Sequence, residues 1–301
     1  MTPLSVIICA HNPRREFLEA TLAALRQQTL PPSEWELLLI DNASETPLAK
    51  TCDISWHPKS RHVREEELGL TPARLRGITE AAAELLVFVD DDNVLDGDYL
   101  ETARRIANEW PMLGAWGGDI RPRFETPPPE WTRRHWGMLA IVECEQSRWS
   151  NLPDRPDTLP CGAGMVVRKS VALHYAQQVR NDPKRKMLDR KGSSLSSCGD
   201  SDLALTAVDV GLGCGVFKEL RLAHIMPQGR LTEEYLLKLK ENTTCSAMLL
   251  FSVRGRETKR SLIRRIAEFV RLFGMNARDR RFELARLRGM KRSKTVLAEL
   301  R

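Results

Sequence analysis

The sequence lacks any closely spaced pair of cysteines. Its seven cysteines are scattered one at a time along the 301 residues. An odd number of dispersed cysteines argues against a disulfide framework and against a zinc ribbon, and it fits a reducing compartment. We therefore expect them to be small, buried apolar residues, namely Cys9, Cys52, Cys144, Cys161, Cys198, Cys214 and Cys245.

Long apolar runs are also missing. No stretch approaches the ~18 uninterrupted apolar residues that a membrane-spanning helix needs. The apolar run that starts at Leu4 has only the length of a strand, and no basic segment precedes it. The sequence therefore predicts neither a signal peptide nor a membrane span, and we expect a cytoplasmic protein.

Charge is plentiful but unevenly distributed. Apolar residues make up 42% of the chain and charged residues 29%, which is ordinary for a folded protein. Residues 231–301 contain 18 Lys+Arg and 8 Asp+Glu, a net charge of +10, whereas residues 1–230 have a net charge of −4. We therefore divide the chain into a body, residues 1–230, and a basic C-terminal region, residues 231–301.

Strands and helices alternate in the N-terminal third. Continuous apolar runs rich in β-branched residues predict strands buried on both faces, and apolar residues recur at helical spacing between them. This order implies right-handed crossovers and a mostly parallel sheet covered by helices, an α/β fold. The predicted strands are 4–10, 36–41, 61–64 and 85–90, and the predicted helices are 17–29, 71–84 and 98–109.

The middle of the chain is less regular. Four prolines within 121–136 predict a long loop there. Residues 164–168 are predicted as a strand and 170–180 as a helix capped by Ser170. Residues 181–199 are polar and serine-rich, which predicts a mobile loop. Further helices are predicted to begin at 200 and 232, and the clearest amphipathic segment of the basic region is 259–273.

Acidic residues stand at the ends of two predicted strands. Asp41 ends the second strand, and Asp90, Asp91 and Asp92 follow the apolar run LLVFV. In an open α/β sheet, ligands bind outside the carboxyl ends of the strands. Three adjacent carboxylates repel one another, and Mg²⁺ or Mn²⁺ would relieve that repulsion and keep coordination positions for phosphate oxygens. The alternative is a solvated loop whose acids cap the next helix.

Seven strings of residues lie in a characteristic order along residues 3–240. They are SVIICAHNPR, LLLIDNAS, ELGLTPARLRGI, LLVFVDDDN, GAGMVVRK, CGDSDL and AHIMPQGRLTEEYL. In this order and spacing they resemble the family 2 glycosyltransferases. The resemblance implies a GT-A type nucleotide-diphospho-sugar transferase fold with a helical C-terminal extension. It also implies an inverting transfer of a sugar from a nucleotide diphosphate sugar, here expected to be a UDP-sugar, to an acceptor hydroxyl.

The resemblance implies roles for individual residues on the donor side. Asp41 would hydrogen-bond the base of the nucleotide, and Arg74 would reach the nucleotide from its helix. Asp90 and Asp91 would hold the ribose and the metal, and Asp92 would be the direct ligand of a divalent cation, Mn²⁺ or Mg²⁺. The wall of the base pocket would be a turn formed by Ala10, His11 and Asn12.

The string CGDSDL matches the position of the catalytic base in the family. Asp200 would deprotonate the acceptor hydroxyl, which requires a carboxylate within hydrogen-bond reach of that hydroxyl. The family usually has Glu-Asp at this point, whereas this sequence has Gly199-Asp200. The departure leaves Asp202 open as an alternative base on the acceptor side. It also leaves open a non-catalytic protein that only binds sugar nucleotides.

Two more of the strings imply contacts. His224 would lie near the metal or the diphosphate and Arg230 would contact the diphosphate, with a purely structural role as the alternative for each. Gly162 and Gly164 would line the acceptor side and let the backbone approach a sugar. Five of the seven tryptophans fall between 110 and 149 and offer a stacking surface, although core packing is favoured for each of them.

The basic C-terminal region has three interpretations. In order of preference, it is a helical subdomain docked on the body, an interfacial segment at an anionic membrane surface, or a nucleic-acid-binding arm. Membrane contact would place the protein on the inner face of the membrane and would suit a lipid-linked acceptor. Such an acceptor would fit surface polysaccharide or lipopolysaccharide assembly, and a free sugar acceptor is the alternative.

One rival enzyme class is disfavoured by an absence. A sugar nucleotidyltransferase on a related fold should carry a glycine-rich G-x-G-x-R loop after the first strand. The sequence has CAHNPRR at that place, without a glycine. The transferase therefore remains the preferred interpretation.

Overall fold

A single sheet forms the centre of the protein in the computed structural model, which describes residues 3–192, 194–256, 268 and 270–299. Within these residues the strands are β1 Leu4–Ala10, β2 Trp35–Asn42, β3 Ser60–Glu65, β4 Leu85–Asp90, β5 Asn93–Leu95, β6 Leu113–Phe124, β7 Arg148–Ser150, β8 Val166–Arg168 and β9 Gly213–Met226. The helices are α1 Arg15–Arg26, α2 Leu48–Thr51, α3 Leu70–Glu80, α4 Tyr99–Glu109, α5 Lys169–Asn181, α6 Gly199–Asp209, α7 Glu233–Val253 and α8 Ala277–Glu299.

The order of the strands combines a parallel half with a mixed half. The order is β3-β2-β1-β4-β8-β6-β9-β5, and β7 pairs with β9. β1 runs parallel to β2 and β4, and β2 runs parallel to β3. β8 is antiparallel to both of its neighbours, β4 and β6, and β5 is antiparallel to β9. The predicted α/β fold with a mostly parallel sheet and C-terminal helices is confirmed.

The central strands are mostly apolar because both faces of the sheet are covered. Val6 and Ile8 of β1 belong to a core cluster with residues of α1 and α4, and Ile7 belongs to the opposite cluster with residues of α3, α5 and α6. Gly77 brings α3 close to the sheet, since a Cβ at this position would lie 2.5 Å from Cγ2 of Ile7. Alternating side chains of one apolar strand thus pack against the helices on the two faces of the sheet.

The parallel strands end together at one edge of the sheet. Ala10 at the end of β1 is in register with Asp41 of β2, and Cys9 is in register with Asp90 at the end of β4. The predicted strand-end acids therefore lie at the same carboxyl edge, where the fold is expected to bind its ligands.

Two local predictions were wrong. The predicted loop at 121–136 contains the end of β6 and a 3-10 helix over Glu130–Leu139. Pro122 is accommodated because β8 pairs with β6 only at residues 115–116, which leaves a strand edge at the proline. Helix α5 begins at Lys169, with Arg168 at its N-cap position, so Ser170 does not cap it. Residues 181–199, predicted as a mobile loop, include a 3-10 helix over Pro183–Leu188 and then the buried Asp189; their mobility stays a prediction.

The described helices of the basic C-terminal region contact the body. Helices α7 and α8 pack against each other, and Leu236, Leu239 and Phe282 share a core cluster with Leu139 and Met226 of the body. Most of the predicted amphipathic segment 259–273 lies outside the described residues. Within the described ranges, no helix has both the length and the apolar character of a membrane span.

Candidate active site

A cleft of about 830 Å³ opens at the carboxyl edge of the sheet. Its walls come from the ends of β1 and β4, the start of α3, the start of α6, the end of β9 and one face of α7. Of the site residues predicted from the sequence, it brings together Ala10, His11, Asn12, Arg74, Asp90, Asp91, Asp92, Gly162, Asp200, His224 and Arg230.

The turn after β1 is held by hydrogen bonds to the end of β2. His11 Nδ1 lies 2.7 Å from the carbonyl oxygen of Asn42. The backbone N–H of Asn12 donates to Ser44 Oγ at 3.0 Å, and its side-chain oxygen accepts from the N–H of Glu45 at 2.9 Å. Asn12 has a φ of 45°, a left-handed conformation that asparagine tolerates better than most residues. The wall of the cleft is therefore fixed here by local polar contacts.

Asp92 lies at the centre of a buried polar cluster. Its Oδ2 is 3.3 Å from His224 Nε2 and 3.1 Å from a guanidinium nitrogen of Arg230. The antiparallel pairing of β5 with β9 sets this contact, because Asn93 is in register with His224. Burial opposes the charged form of Asp92, but His224 and then Arg230 outweigh it and lower the pKa of this carboxyl to about 2.

The two neighbouring acids are affected in the opposite direction. Burial, and then the negative charge of Asp92, raise the pKa of Asp90. Burial followed by repulsion from Asp92 and Asp90 raises the pKa of Asp91 to about 7. The repulsion that the sequence predicted for adjacent carboxylates is thus present in the folded protein, and a bound cation would reduce it.

The donor atoms suit a hard divalent cation that a ligand helps to coordinate. Across the described residues, no three His, Cys, Asp or Glu side chains form a group that could hold a metal ion. Asp92 and His224 nevertheless place a carboxylate and an imidazole side by side, and Nδ1 of His224 is buried without a hydrogen-bond partner. Such a pair fits Mn²⁺ or Mg²⁺ only if phosphate oxygens supply further ligands.

Asp200 presents its carboxylate to the cleft from the first turn of α6. Its Oδ2 accepts a hydrogen bond from the N–H of Gly162 at 3.0 Å, and its Oδ1 accepts from the N–H of Ser201 at 2.7 Å. These two bonds fix the orientation of the carboxylate and leave lone pairs for a further donor. The group is therefore placed to accept a proton from a hydroxyl in the cleft.

Asp189 is a cleft residue that the sequence did not single out. It is 4% exposed, and its Oδ2 accepts from Arg74 at 3.0 Å and from Thr71 Oγ1 at 2.9 Å. Arg74 is itself 5% exposed, so this is a buried ion pair on the cleft wall. Its only signal in the sequence would have been a buried arginine on α3 that requires an acid from elsewhere in the chain.

The assignment of Asp202 to the acceptor side was wrong. Asp202 is fully buried and does not line the cleft. Its carboxylate pairs with Arg185 at 2.6 Å and with Arg254 at 2.8 Å. Two residues along a helix correspond to a rotation of about 200°, so Asp202 faces away from the cleft when Asp200 faces into it. Asp202 is therefore part of a structural ion-pair cluster.

Gly164 was also wrongly assigned to the acceptor side. Its φ is +73°, and its carbonyl oxygen accepts a hydrogen bond from the hydroxyl of Tyr99 at 2.6 Å. A Cβ at this position would lie 2.5 Å from both the Tyr99 hydroxyl and Leu222, so the glycine permits close packing in the interior. Gly162 does line the cleft.

Asp41 and the tryptophans have surroundings other than those expected. Asp41 is buried and accepts from the N–H groups of Ser44 and Leu48 and from Arg64, and it is not one of the cleft-lining residues. Its contact with a nucleotide base stays a prediction. In the described part of the chain, the cleft lining includes no tryptophan, so the proposed stacking surface is not found there.

The α/β fold, with an acidic cluster and a separate carboxylate facing one cleft, is the arrangement expected of the family that the seven strings resemble. The family model described as glycosyl transferase family 2 matches residues 5–172, which is more than half of the chain. The protein therefore belongs to glycosyl transferase family 2, as the seven strings predicted.

Two relatives from Haloferax volcanii match part of the chain. Glycosyltransferase AglE is 30% identical over 101 residues, which covers 33% of this chain and 33% of AglE. Glucosyl-dolichyl phosphate glucuronosyltransferase is 23% identical over 144 residues, which covers 48% of this chain and 45% of that protein. The matches thus span between a third and a half of the length of these relatives.

Solved structures of S. aureus TarS share the fold. One TarS structure has a TM-score of 0.52 and 14% identity, and the similarity covers 87% of this chain and 44% of TarS. TarS 1–349 in complex with UDP-GlcNAc has a TM-score of 0.52 and 12% identity, with coverage of 84% and 72%. At this level of identity the similarity supports the fold alone.

Proposed function

We propose that the protein transfers a sugar from a UDP-sugar to an acceptor hydroxyl with inversion at the anomeric carbon. The observation that carries the proposal is that the Asp200 carboxylate shares one cleft with the cluster of Asp92, His224 and Arg230. The fold similarity to TarS 1–349, whose structure was solved with UDP-GlcNAc, supports a UDP-sugar as the donor.

In this mechanism the residues of the cleft divide the work between acceptor and leaving group. Asp200 takes the proton of the acceptor hydroxyl while the oxygen of that hydroxyl forms a bond to the anomeric carbon. The bond between that carbon and the diphosphate breaks, and UDP leaves from the opposite face of the sugar. Arg230 neutralises charge on the diphosphate, and Asp92 and His224 would hold a divalent cation. When bound, the cation stabilises the negative charge of the leaving group.

One wall of the cleft is weakly polar, which supports an acceptor with an apolar part. Tyr235, Leu239, Thr243 and Ala247 recur every four residues and form the face of α7 that lines the cleft. A segment over residues 138–140, Met-Leu-Ala, lies in the same lining. The relative named glucosyl-dolichyl phosphate glucuronosyltransferase also favours a lipid-linked acceptor over a free sugar. Surface polysaccharide or lipopolysaccharide assembly would supply such an acceptor.

Sugar transfer should depend strictly on a divalent cation. With Mn²⁺ present, we expect one member of a panel of UDP-sugars to give UDP release and a glycosylated lipid-linked acceptor. NMR of the product should show that the anomeric configuration is inverted relative to the donor. EDTA should reduce UDP release to background, because the leaving diphosphate then lacks the cation that stabilises most of its negative charge. Excess Mn²⁺ should restore it.

Two outcomes of that experiment would contradict parts of the proposal. Full turnover in EDTA, with no metal detected by elemental analysis, would remove the metal role. Tight binding of UDP-sugars, read as a rise in melting temperature, without turnover on any acceptor would favour the non-catalytic binding protein. A melting temperature of the free protein that EDTA leaves unchanged serves as the control for intact folding.

The basic C-terminal region should bind anionic vesicles in a salt-dependent way. It carries a net charge of +10, and Phe273 and Val270 are the most exposed of the large apolar side chains that the structure describes, at 73% and 61%. We expect the full chain to co-sediment with phosphatidylglycerol-containing vesicles at low salt and to be released at high salt, because screening weakens the attraction. Phe273→Ser should reduce the bound fraction.

A matched variant separates this contact from general hydrophobic adhesion. Leu173 lies on α5 and is 49% exposed, so Leu173→Ser removes a comparable apolar side chain from another surface. It should leave the bound fraction unchanged. Absence of co-sedimentation at low salt would instead favour a region that only docks on the body.

A further inference from the structure

We propose that Asp189 is a positioning residue: by pairing with Arg74 it keeps that arginine from pairing with Asp200, and its carboxylate occupies the space that Gly199 leaves open. The inference rests on the proposed function, because it assumes that Asp200 is the base of the transfer reaction. It concerns a carboxylate that the sequence pattern did not indicate and that the mechanism above does not use.

The position of Asp189 is fixed by its backbone neighbours. The carbonyl oxygen of Leu188 accepts from the N–H of Cys198 at 2.9 Å, just before α6. The carbonyl oxygen of Arg190 accepts from the N–H of Leu70 at 3.0 Å, at the start of α3. The segment around Asp189 is therefore bonded to the first turns of both helices that flank it, one carrying Arg74 and the other Asp200.

Gly199 and the Asp189 carboxylate fit each other closely. A Cβ at position 199 would lie 2.1 Å from Oδ2 and 2.3 Å from Cγ of Asp189, far inside van der Waals contact. Any side chain at 199 would thus displace the carboxylate of Asp189. This chain thus has a glycine at 199, and the carboxylate that lies beside it comes from position 189.

Arg74 and Asp200 are close enough to pair if Arg74 were released. Both lie against Gly162, where a Cβ would be 2.7 Å from a guanidinium nitrogen of Arg74 and 3.4 Å from Oδ2 of Asp200. Instead, Nη1 of Arg74 pairs with Oδ2 of Asp189 at 3.0 Å, while its other terminal nitrogen lies against Gly162. An arginine bonded to Asp200 would occupy its lone pairs and make it a weaker base. Asp189 therefore keeps Asp200 available for the acceptor hydroxyl.

The test compares three variants with the wild-type protein in the UDP-sugar transfer assay. Asp189→Ala should lower kcat on the order of 10- to 100-fold with little change in the KM for the UDP-sugar, less than the loss expected when the base itself is removed. Gly199→Ala should give a similar loss, because its Cβ displaces the Asp189 carboxylate. The double variant Asp189→Gly with Gly199→Glu should recover most of the kcat, since the acid is then supplied from position 199.

Melting temperatures separate positioning from a structural role. Glu36→Gln provides the control, since Glu36 accepts from Ser5 Oγ and from the N–H of Ala82 and pairs with Arg61, outside the cleft lining. It should retain wild-type kcat. Recovery in the double variant supports the proposal. A wild-type kcat in Asp189→Ala overturns it. A loss of kcat that parallels the fall in melting temperature and that the double variant does not recover also overturns it. If the wild-type protein transfers no sugar, the proposed function fails together with the inference.

Discussion

Asp200→Asn is expected to lower turnover by about 10²–10⁴-fold while UDP-sugar binding persists. Asparagine keeps the shape of the side chain, and its oxygen can still accept the N–H of Gly162 or Ser201. The amide does not take a proton at neutral pH, so the acceptor hydroxyl loses its base. Because Asp200 contributes no donor contact in the proposed mechanism, the KM for the UDP-sugar should change far less than kcat.

Asp202→Asn is the matched comparison, on the same helix and two residues away. Its carboxylate pairs with Arg185 and Arg254, so the substitution should destabilise the protein by about 3–5 kcal/mol, the typical cost of breaking a buried pair. Circular dichroism at low temperature gives the fraction of Asp202→Asn molecules that is folded. Turnover per folded molecule should equal that of the wild type. A loss of turnover per folded molecule in Asp202→Asn, with Asp200→Asn unaffected, would reverse the assignment of the base.

The fold could be predicted because its determinants are local. β1 and β4 have the predicted bounds, since a continuous apolar run between polar residues leaves little freedom for a buried strand. The acids at the end of β4 could be placed at the ligand-binding edge for the same reason. Pro122 led to the wrong prediction of a loop. A proline can lie in a strand where one edge of that strand is unpaired, and the sequence does not show which part of β6 has such an edge.

The candidate site was only partly predictable, because several of its contacts join distant parts of the chain. The ion pair of Arg74 with Asp189 joins α3 to a segment that reads as a polar loop. The orientation of Asp202 follows from which side of α6 is buried, and that side includes Leu203 and Ala204 next to it. Sequence spacing identified two candidate carboxylates, and only packing distinguished the one that faces the cleft.

Asp92→Asn is the second substitution with a large expected effect. Asp92 Oδ2 contacts both His224 and Arg230, so the negative charge organises the cluster that would receive the cation and the diphosphate. Loss of cation binding should remove several kcal/mol of transition-state stabilisation, and about 4 kcal/mol corresponds to roughly a 10³-fold fall in turnover. The Mn²⁺ concentration that gives half-maximal turnover should rise as well.

Asp96→Asn provides the control for this substitution, four residues further along the chain. Asp96 pairs with Arg121 and Arg221, and it is not one of the cleft-lining residues. Its variant should keep wild-type turnover and the wild-type Mn²⁺ dependence. If Asp92→Asn also kept both, the cation would not bind at this carboxylate. A fall in turnover with an unchanged Mn²⁺ dependence would instead mean that Asp92 acts through Arg230 on the diphosphate, because the carboxylate would then orient the guanidinium without ligating the metal.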